Sequence, residues 1–408
     1  MPDVSQQVGA FSTESQSGAA QGPLSGVVIA DFTRILAGPY CTMLLADMGA
    51  TVIKVEAPAG DDSRTWIPPE RDGVSTYYLA VNRNKHSIVL DLREPEDLAT
   101  AHELVGQADV FVENFKPGGL SRYGLDAETT TNKHPQLIHT SITGFGSGGG
   151  KDMPGYDLLV QGLSGLMSVT GSPERQPQRA GVAMFDVITG LHAATGILAA
   201  LHERSLSGGG QHLKLDLLSS ALSGLVNQTA GYAACGNVPQ RLGNDHPSLY
   251  PYGPFPTADK ELIICAGNDR QFSRLAEALG FGWAAEDPRF SSMEARNQHR
   301  ETLRELLVES LAQQPADHWF EVLQGQGIPC APILNIGEGV QFAERLGLNP
   351  VVPAGSAEET VPTIKHPVSF SRTPAHYTKA PPRLGADGEE VRQWLRARST
   401  APAQDASR

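Results

Sequence analysis

The stretch Val27-Val28-Ile29-Ala30-Asp31, followed by Gly38-Pro39 and then Thr51-Val52-Ile53-Lys54-Val55, decides the fold. The first run is short, apolar and ends in a turn, as a buried strand does. Gly38-Pro39 opens a helix to about Met48, with proline at the favoured first position. Thr51–Val55 reads as the next strand, and Ser87–Leu92, Val110–Glu113 and Leu137–Ile142 continue the series. A helix at Pro95–Gly106 falls between two of them. Alternation of this kind predicts an α/β fold, with a mostly parallel sheet and helices on both faces.

Farther along, Tyr156 to about Ser168 and Val187 to about Glu203 carry a helical period, the second with Val187, Leu191, Ala194, Leu198 and Leu201 on one stripe. Gln211–Leu215 reads as a strand, and Leu217 to about Ala230 as a long connecting helix. Beyond Gly231 a Pro- and Tyr-rich loop, the strand Leu262–Cys265 and helices at Gln271–Leu279, Arg300–Gln313 and Pro315–Gln324 suggest a smaller domain. The expected division is a disordered tail at 1–23, a large domain at 24–205, a linker at 206–229, a small α+β domain at 230–335, a return into the large domain at 336–395, and a second tail at 396–408.

At 408 residues, 40% hydrophobic and 19% charged, the chain has the composition of a two-domain globular protein. Its net charge of -13 argues against a nucleic-acid or anionic-membrane partner, since both need a basic face. No run of 18 or more apolar residues predicts a membrane span. The cysteines Cys41, Cys235, Cys265 and Cys330 form no CxxC pair, so zinc and redox motifs are absent and a reducing cytoplasm fits.

Three features could carry chemistry. Gly144-Phe145-Gly146-Ser147-Gly148-Gly149 matches the dinucleotide fingerprint, but no helix follows until about Tyr156, so a pocket-gating loop is the better reading. Asp186 opens the amphipathic helix at Val187. An aspartate there is most often a cap, yet the same place would hold a carboxylate rigidly, with the helix dipole favouring its ionised, nucleophilic form. Basic residues near strand ends, Arg64, Arg83, Lys85 and Arg122, sketch an anion pocket within an acidic protein.

Several motifs occur in order: Leu24-Ser25-Gly26 before Asp31-Phe32; Ala37-Gly38-Pro39; Gly49-Ala50 with Val52–Glu56; Asn84-Lys85; Glu113-Asn114-Phe115 with Pro117-Gly118; Gly155-Tyr156-Asp157; Asp186 with Thr189-Gly190; Gly210-Gln211; and Pro381–Gly385. In these the chain resembles the class III coenzyme A-transferases, from about Leu24 to Leu384. The resemblance implies a Rossmann-like large domain, an inserted small domain and an interlocked homodimer. It implies Asp186 as the covalent nucleophile in CoA transfer from an acyl-CoA to a free acid. It also implies CoA contacts at Ile35, Asn84, Lys85, Asn114, Phe115 and Arg122, with Lys85 and Arg122 suited to phosphate. Gly144 and Phe145 would close on the thioester. Coenzyme A is then part of the substrate, and no permanently bound cofactor or metal is expected.

Departures from relatives narrow the chemistry. Racemases of the family carry a histidine where this chain has Tyr156, and a glutamate where it has Asn268 or Asp269. Racemisation needs two groups that remove and return a proton, so an acyl-CoA racemase is the weaker alternative. Formyl-CoA transferase carries a glycine run absent between Pro254 and Asn268, a glutamine at Leu36 and an arginine at Ala57, which argues against oxalate. The stretches His246–Tyr252 and Ala266–Phe272 look most like the branch that uses succinyl-CoA and related dicarboxylates.

Overall fold

The computed structural model describes residues 22–357 and 359–400, so most of the expected tail at 1–23 and residues 401–408 lie outside the described residues. Six parallel strands form one sheet: β1 (Val28–Phe32), β2 (Thr51–Glu56), β3 (Lys85–Val89), β4 (Val110–Glu113), β5 (Ile138–Thr143) and β6 (His212–Asp216). Their order is β3-β2-β1-β4-β5-β6, and every pairing is parallel. This is the doubly wound order, in which the winding direction reverses between β1 and β4. The strands form where the apolar runs predict. Ile29, Val52, Ile53, Val110, Phe111 and Val112 have no more than 0% exposure, as expected of strands covered on both faces.

The described residues divide into two compact units: 22–164, 180–233 and 350–400 in the first, 165–179 and 234–349 in the second. The sheet lies in the first. The segment 206–229, expected as a linker, instead carries β6, which pairs with β5 from His139↔His212 to Thr143↔Asp216. The long connecting helix is broken into Leu217–Gly224 and Asn227–Cys235, because Val226 takes a left-handed conformation (φ 39°). Gly165, with φ 92°, likewise stops the helix that begins at Asp157. The last helix runs over Gly388–Thr400 and buries Val391, Trp394 and Leu395 in the core beside Ile88 and Leu104, so the expected tail from 396 starts at least five residues too early.

The second unit has a three-stranded antiparallel sheet ordered Cys330–Pro332, Glu261–Cys265, Tyr252–Pro256. Helices Asp269–Ala278, Arg300–Leu311 and Ala316–Gly325 supply Phe272, Leu275, Leu303, Leu307, Trp319 and Leu323 to its core. Helix Ile336–Arg345 belongs to this unit and not to the return segment.

By length and composition alone, helix Met184–Ser207 is long and apolar enough to cross a membrane. Here it packs against the sheet and against helix Ala37–Asp47, burying Phe185, Ala193, Ile197 and Ala200. Its other face is exposed, with Leu191 and Leu198 of the expected stripe on it.

Candidate active site

Ligands of doubly wound folds bind where the strand order reverses, beyond the carboxyl ends of the strands. Here that place lies between the ends of β1 and β4, and two loops are clasped across it. The Asn114 side chain accepts from the Arg34 N–H at 3.0 Å and donates to the Arg34 carbonyl at 2.8 Å. Ile35 follows with φ 71°. A β-branched residue in the left-handed region is strained and persists only when its surroundings enforce it. The enforcing group is Asp61, whose carboxylate accepts the Ile35 N–H at 3.2 Å and is itself held by Lys54 and Ser63. Ile35, Asn114 and Phe115 are therefore brought together.

Beyond β4, β5 and β6 opens a pocket of about 430 Å³, lined by Phe115, Lys116, Leu120, Ser141, Gly146 and Lys214 among others. Lys116 and Lys214 are exposed and form no ion pair among the described residues. Arg122 is exposed as well, its guanidinium 4.6 Å from the Tyr123 ring. These three cations are free to meet an anion.

Lys85 is not. Its side chain has 0% exposure, and its three donors go to Asp31 at 3.1 Å, the Pro39 carbonyl at 3.0 Å and Asn82 at 2.9 Å. The expected phosphate contact is corrected: an ammonium with three partners inside the sheet layer has no proton left to offer. Burial pushes Asp31 up, but Lys85, Lys54, Thr33 and Thr42 outweigh it and hold the carboxyl at about 2. The expected CoA contact at Asn84 meets the same objection, because its amide bonds Asp47, the His376 carbonyl and the Lys379 N–H. Arg64 and Arg83 are equally committed, to Glu56 at 2.7 Å and to Asp47 at 2.6 Å. The basic constellation is thus mostly a set of buried ion pairs.

Asp186 lies in the first turn of helix Met184–Ser207 without capping it. The cap comes from elsewhere: Asp157 Oδ1 accepts from the Phe185 N–H at 2.7 Å and from the Asp186 N–H at 3.2 Å. The Asp186 carboxylate makes no side-chain hydrogen bond or ion pair among the described residues. It is half-buried, and burial, with the neighbouring charge of Asp157, pushes it up to about 7. The dipole expected to keep it ionised is outweighed by desolvation. One residue escaped the sequence reading: Tyr77 is pushed up to about 12 by burial, with Asp186, Asp157 and Asp61 adding, so its phenol stays protonated in the same negative field. Nothing in the sequence around Tyr77 signals this, since those charges lie far away along the chain.

The helix packs tightly below this turn. A Cβ at Gly190 would lie 2.7 Å from the Ala37 carbonyl, which explains the Thr189-Gly190 motif as a close helix contact. The family model described as CoA-transferase family III matches residues 24–388.

The chain belongs to CoA-transferase family III.

Among its curated relatives is the succinate–glutarate CoA-transferase of Agrobacterium fabrum, 42% identical over 381 residues, covering 90% of this chain and 94% of the relative. An acetyl-CoA:oxalate CoA-transferase of Acetobacter aceti is 36% identical, covering 94% and 99%. A crystal structure of a CAIB/BAIF family protein from Brucella suis matches with a TM-score of 0.85 at 39% identity, covering 92% of this chain and 100% of that one.

The glycine-rich loop of this family III enzyme is less open than expected. A Cβ built on Gly144 would overlap the Cα of Gly155, so two backbone segments touch there. The Leu218 N–H donates to the Gly144 carbonyl at 3.2 Å and the Gly146 N–H to Thr143 at 3.1 Å. Gly144→Ala is expected to force the segment at Gly155 away, and with it Asp157. The variant should lose about 1–3 kcal/mol of stability in urea unfolding and most of its turnover. Wild-type turnover in a folded Gly144→Ala variant would show that the close approach has no role.

Proposed function

We propose that this enzyme moves coenzyme A between short dicarboxylates through covalent intermediates on Asp186. The observation that carries the reading is the unused carboxylate of Asp186 at a helix start whose N–H groups are already capped by Asp157. A carboxyl near 7 is about half ionised at neutral pH, and its raised basicity makes the ionised form a better nucleophile than an ordinary carboxylate.

In the proposed cycle the Asp186 carboxylate attacks the thioester carbonyl and the C–S bond breaks. This gives an acyl-aspartyl anhydride and CoA thiolate. The thiolate attacks the aspartyl carbonyl, releasing the first acid and leaving an aspartyl-CoA thioester. The acceptor carboxylate then displaces thiolate from that carbonyl, forming a second anhydride. Thiolate attack on the acceptor's carbonyl yields the new acyl-CoA and restores Asp186. No proton is gained or lost over the cycle.

The nucleotide end of CoA would lie along the exposed cations Lys116, Arg122 and Lys214, with Ile35, Asn114 and Phe115 shaping the crevice and Gly144 and Phe145 beside the thioester. The names of the Agrobacterium and Acetobacter relatives, with succinate, glutarate and oxalate, support a dicarboxylate acid. An interlocked homodimer in a reducing cytoplasm is part of the same proposal, and the four free thiols support that compartment. The racemase alternative loses its acid–base pair: Tyr156 is a phenol, Asn268 caps a helix through the Gln271 N–H, and Asp269 is paired to Arg296 at 2.6 Å.

The test is incubation with succinyl-CoA, acetyl-CoA and a panel of free acids, scored by mass spectrometry of the thioesters. Exchange onto glutarate or a dicarboxylate of similar length is expected, without deuterium uptake at the α-carbon. Deuterium uptake without exchange would replace the reading by the racemase. CoA binding with neither would leave only a binding protein.

A further inference from the structure

The helix start at Met184 has more built around it than a nucleophile alone requires. Asp157 is 8% exposed and uses both oxygens: Oδ1 receives the N–H groups of Phe185 and Asp186, and Oδ2 receives the Gln161 amide at 2.6 Å. Gln161 is fixed in turn, accepting from the Ala180 N–H at 2.9 Å and donating to the Val182 carbonyl at 3.2 Å. Gln161 therefore holds the segment leading into the helix at Ala180 and Val182, and Asp157 holds the first turn at Phe185 and Asp186. Ala183, which occupies the usual capping position, has no side chain that could cap.

An aspartate at Asp186's place in the first turn would ordinarily be drawn to free N–H groups of its own helix. With those N–H groups occupied, its carboxylate is left pointing away from a cap. We propose that Asp157 is the positioning residue of this enzyme, holding the backbone of Asp186 and keeping its carboxylate free for the acyl group. The proposal rests on the reading of Asp186 as nucleophile. Gln161 acts behind Asp157 by fixing its orientation.

Asp157 also bears on the ionisation of Asp186. Among the described residues the charge of Asp157 acts on Asp186, and that of Asp186 on Tyr77 of helix Thr76–Ala80, while Tyr40 lies one turn below, against Gly190. No lysine or arginine pairs with either carboxylate among the described residues. A negative Asp157 therefore disfavours a second negative charge at Asp186.

Two substitutions separate position from charge. Asp157→Asn keeps an oxygen for the two N–H groups, removes the charge and gives up only the bond from the Gln161 amide. Asp157→Ala removes both. For Asp157→Ala, kcat is expected to fall about 10- to 100-fold while KM for the acyl-CoA stays within about threefold, as for a misplaced reacting group. For Asp157→Asn, kcat at high pH is expected to stay within about tenfold of wild type, with its acidic limb moved down. The readout independent of turnover is the ¹³C carboxyl resonance of Asp186 in the folded enzyme, assigned by its loss in Asp186→Asn. Its midpoint is expected to fall by about one pH unit in Asp157→Asn. Wild-type kcat in a folded Asp157→Ala variant, or equal losses of kcat in the two variants with no change of pH profile, would overturn the proposal. Full exchange activity in Asp186→Asn would instead remove the nucleophile, whatever Asp157 does.

Discussion

Asp186→Asn is expected to abolish CoA exchange, by roughly 10⁴-fold or more, while making the protein more stable. An asparagine has the same shape but cannot form the anhydride, so turnover should vanish with CoA binding intact. The gain in stability follows from the ionisation. Asp186 titrates near 7 in the folded chain, against an ordinary value of 3.8. The folded state holds this proton more tightly than the unfolded state, so the contribution is fully favourable below the unfolded value. It is lost as pH rises through the folded one. Between about pH 5 and about pH 8 the carboxylate should cost the folded state a further ~2–3 kcal/mol. Urea unfolding of the two proteins should show that difference, with Asp186→Asn the more stable and the gap widest at alkaline pH. The same ionisation gives wild-type kcat an acidic limb centred near 7. A gap independent of pH would mean that Asp186 is not held above its ordinary value.

Lys85→Met is expected to damage the fold and not the binding of CoA. It leaves Asp31 fully buried with one of its two cationic neighbours gone, and breaking a buried pair from one side costs about 3–5 kcal/mol. Lys116→Met or Lys214→Met removes an exposed cation at the pocket and should change stability by less than about 0.5 kcal/mol. Their effect should fall on KM for the acyl-CoA, rising about tenfold for loss of one charged phosphate contact. A Lys85→Met protein of normal stability with a raised KM would return Lys85 to the CoA site.

The contrast between these lysines shows what the sequence could and could not convey. Strands such as Val110–Glu113 and helices such as Pro95–Gln107 were legible because an apolar run or a 3.6-residue stripe is a local signal. The strand order, and with it the crevice between Ile35 and Asn114, was not legible, because alternation with helices is compatible with more than one doubly wound order. The partner of Lys85, Asp31, lies 54 residues away on the far side of β2, and no local pattern reveals which way a side chain points. Asp157 was visible only as the third residue of Gly155-Tyr156-Asp157, since the N–H groups it caps lie 28 and 29 residues on. The breaks at Gly165 and Val226 escaped for the opposite reason: a single left-handed residue stops a helix without altering its hydrophobic period.

The most direct test of the central claim is intact and peptide mass spectrometry of the enzyme mixed with a succinyl-CoA donor and no acceptor, then quenched with hydroxylamine. Conversion of Asp186 alone to its hydroxamate, absent in Asp186→Asn and absent without donor, is the predicted result. Exchange activity in the same preparation, with an unmodified peptide at Asp186 or a hydroxamate at another residue, would contradict it.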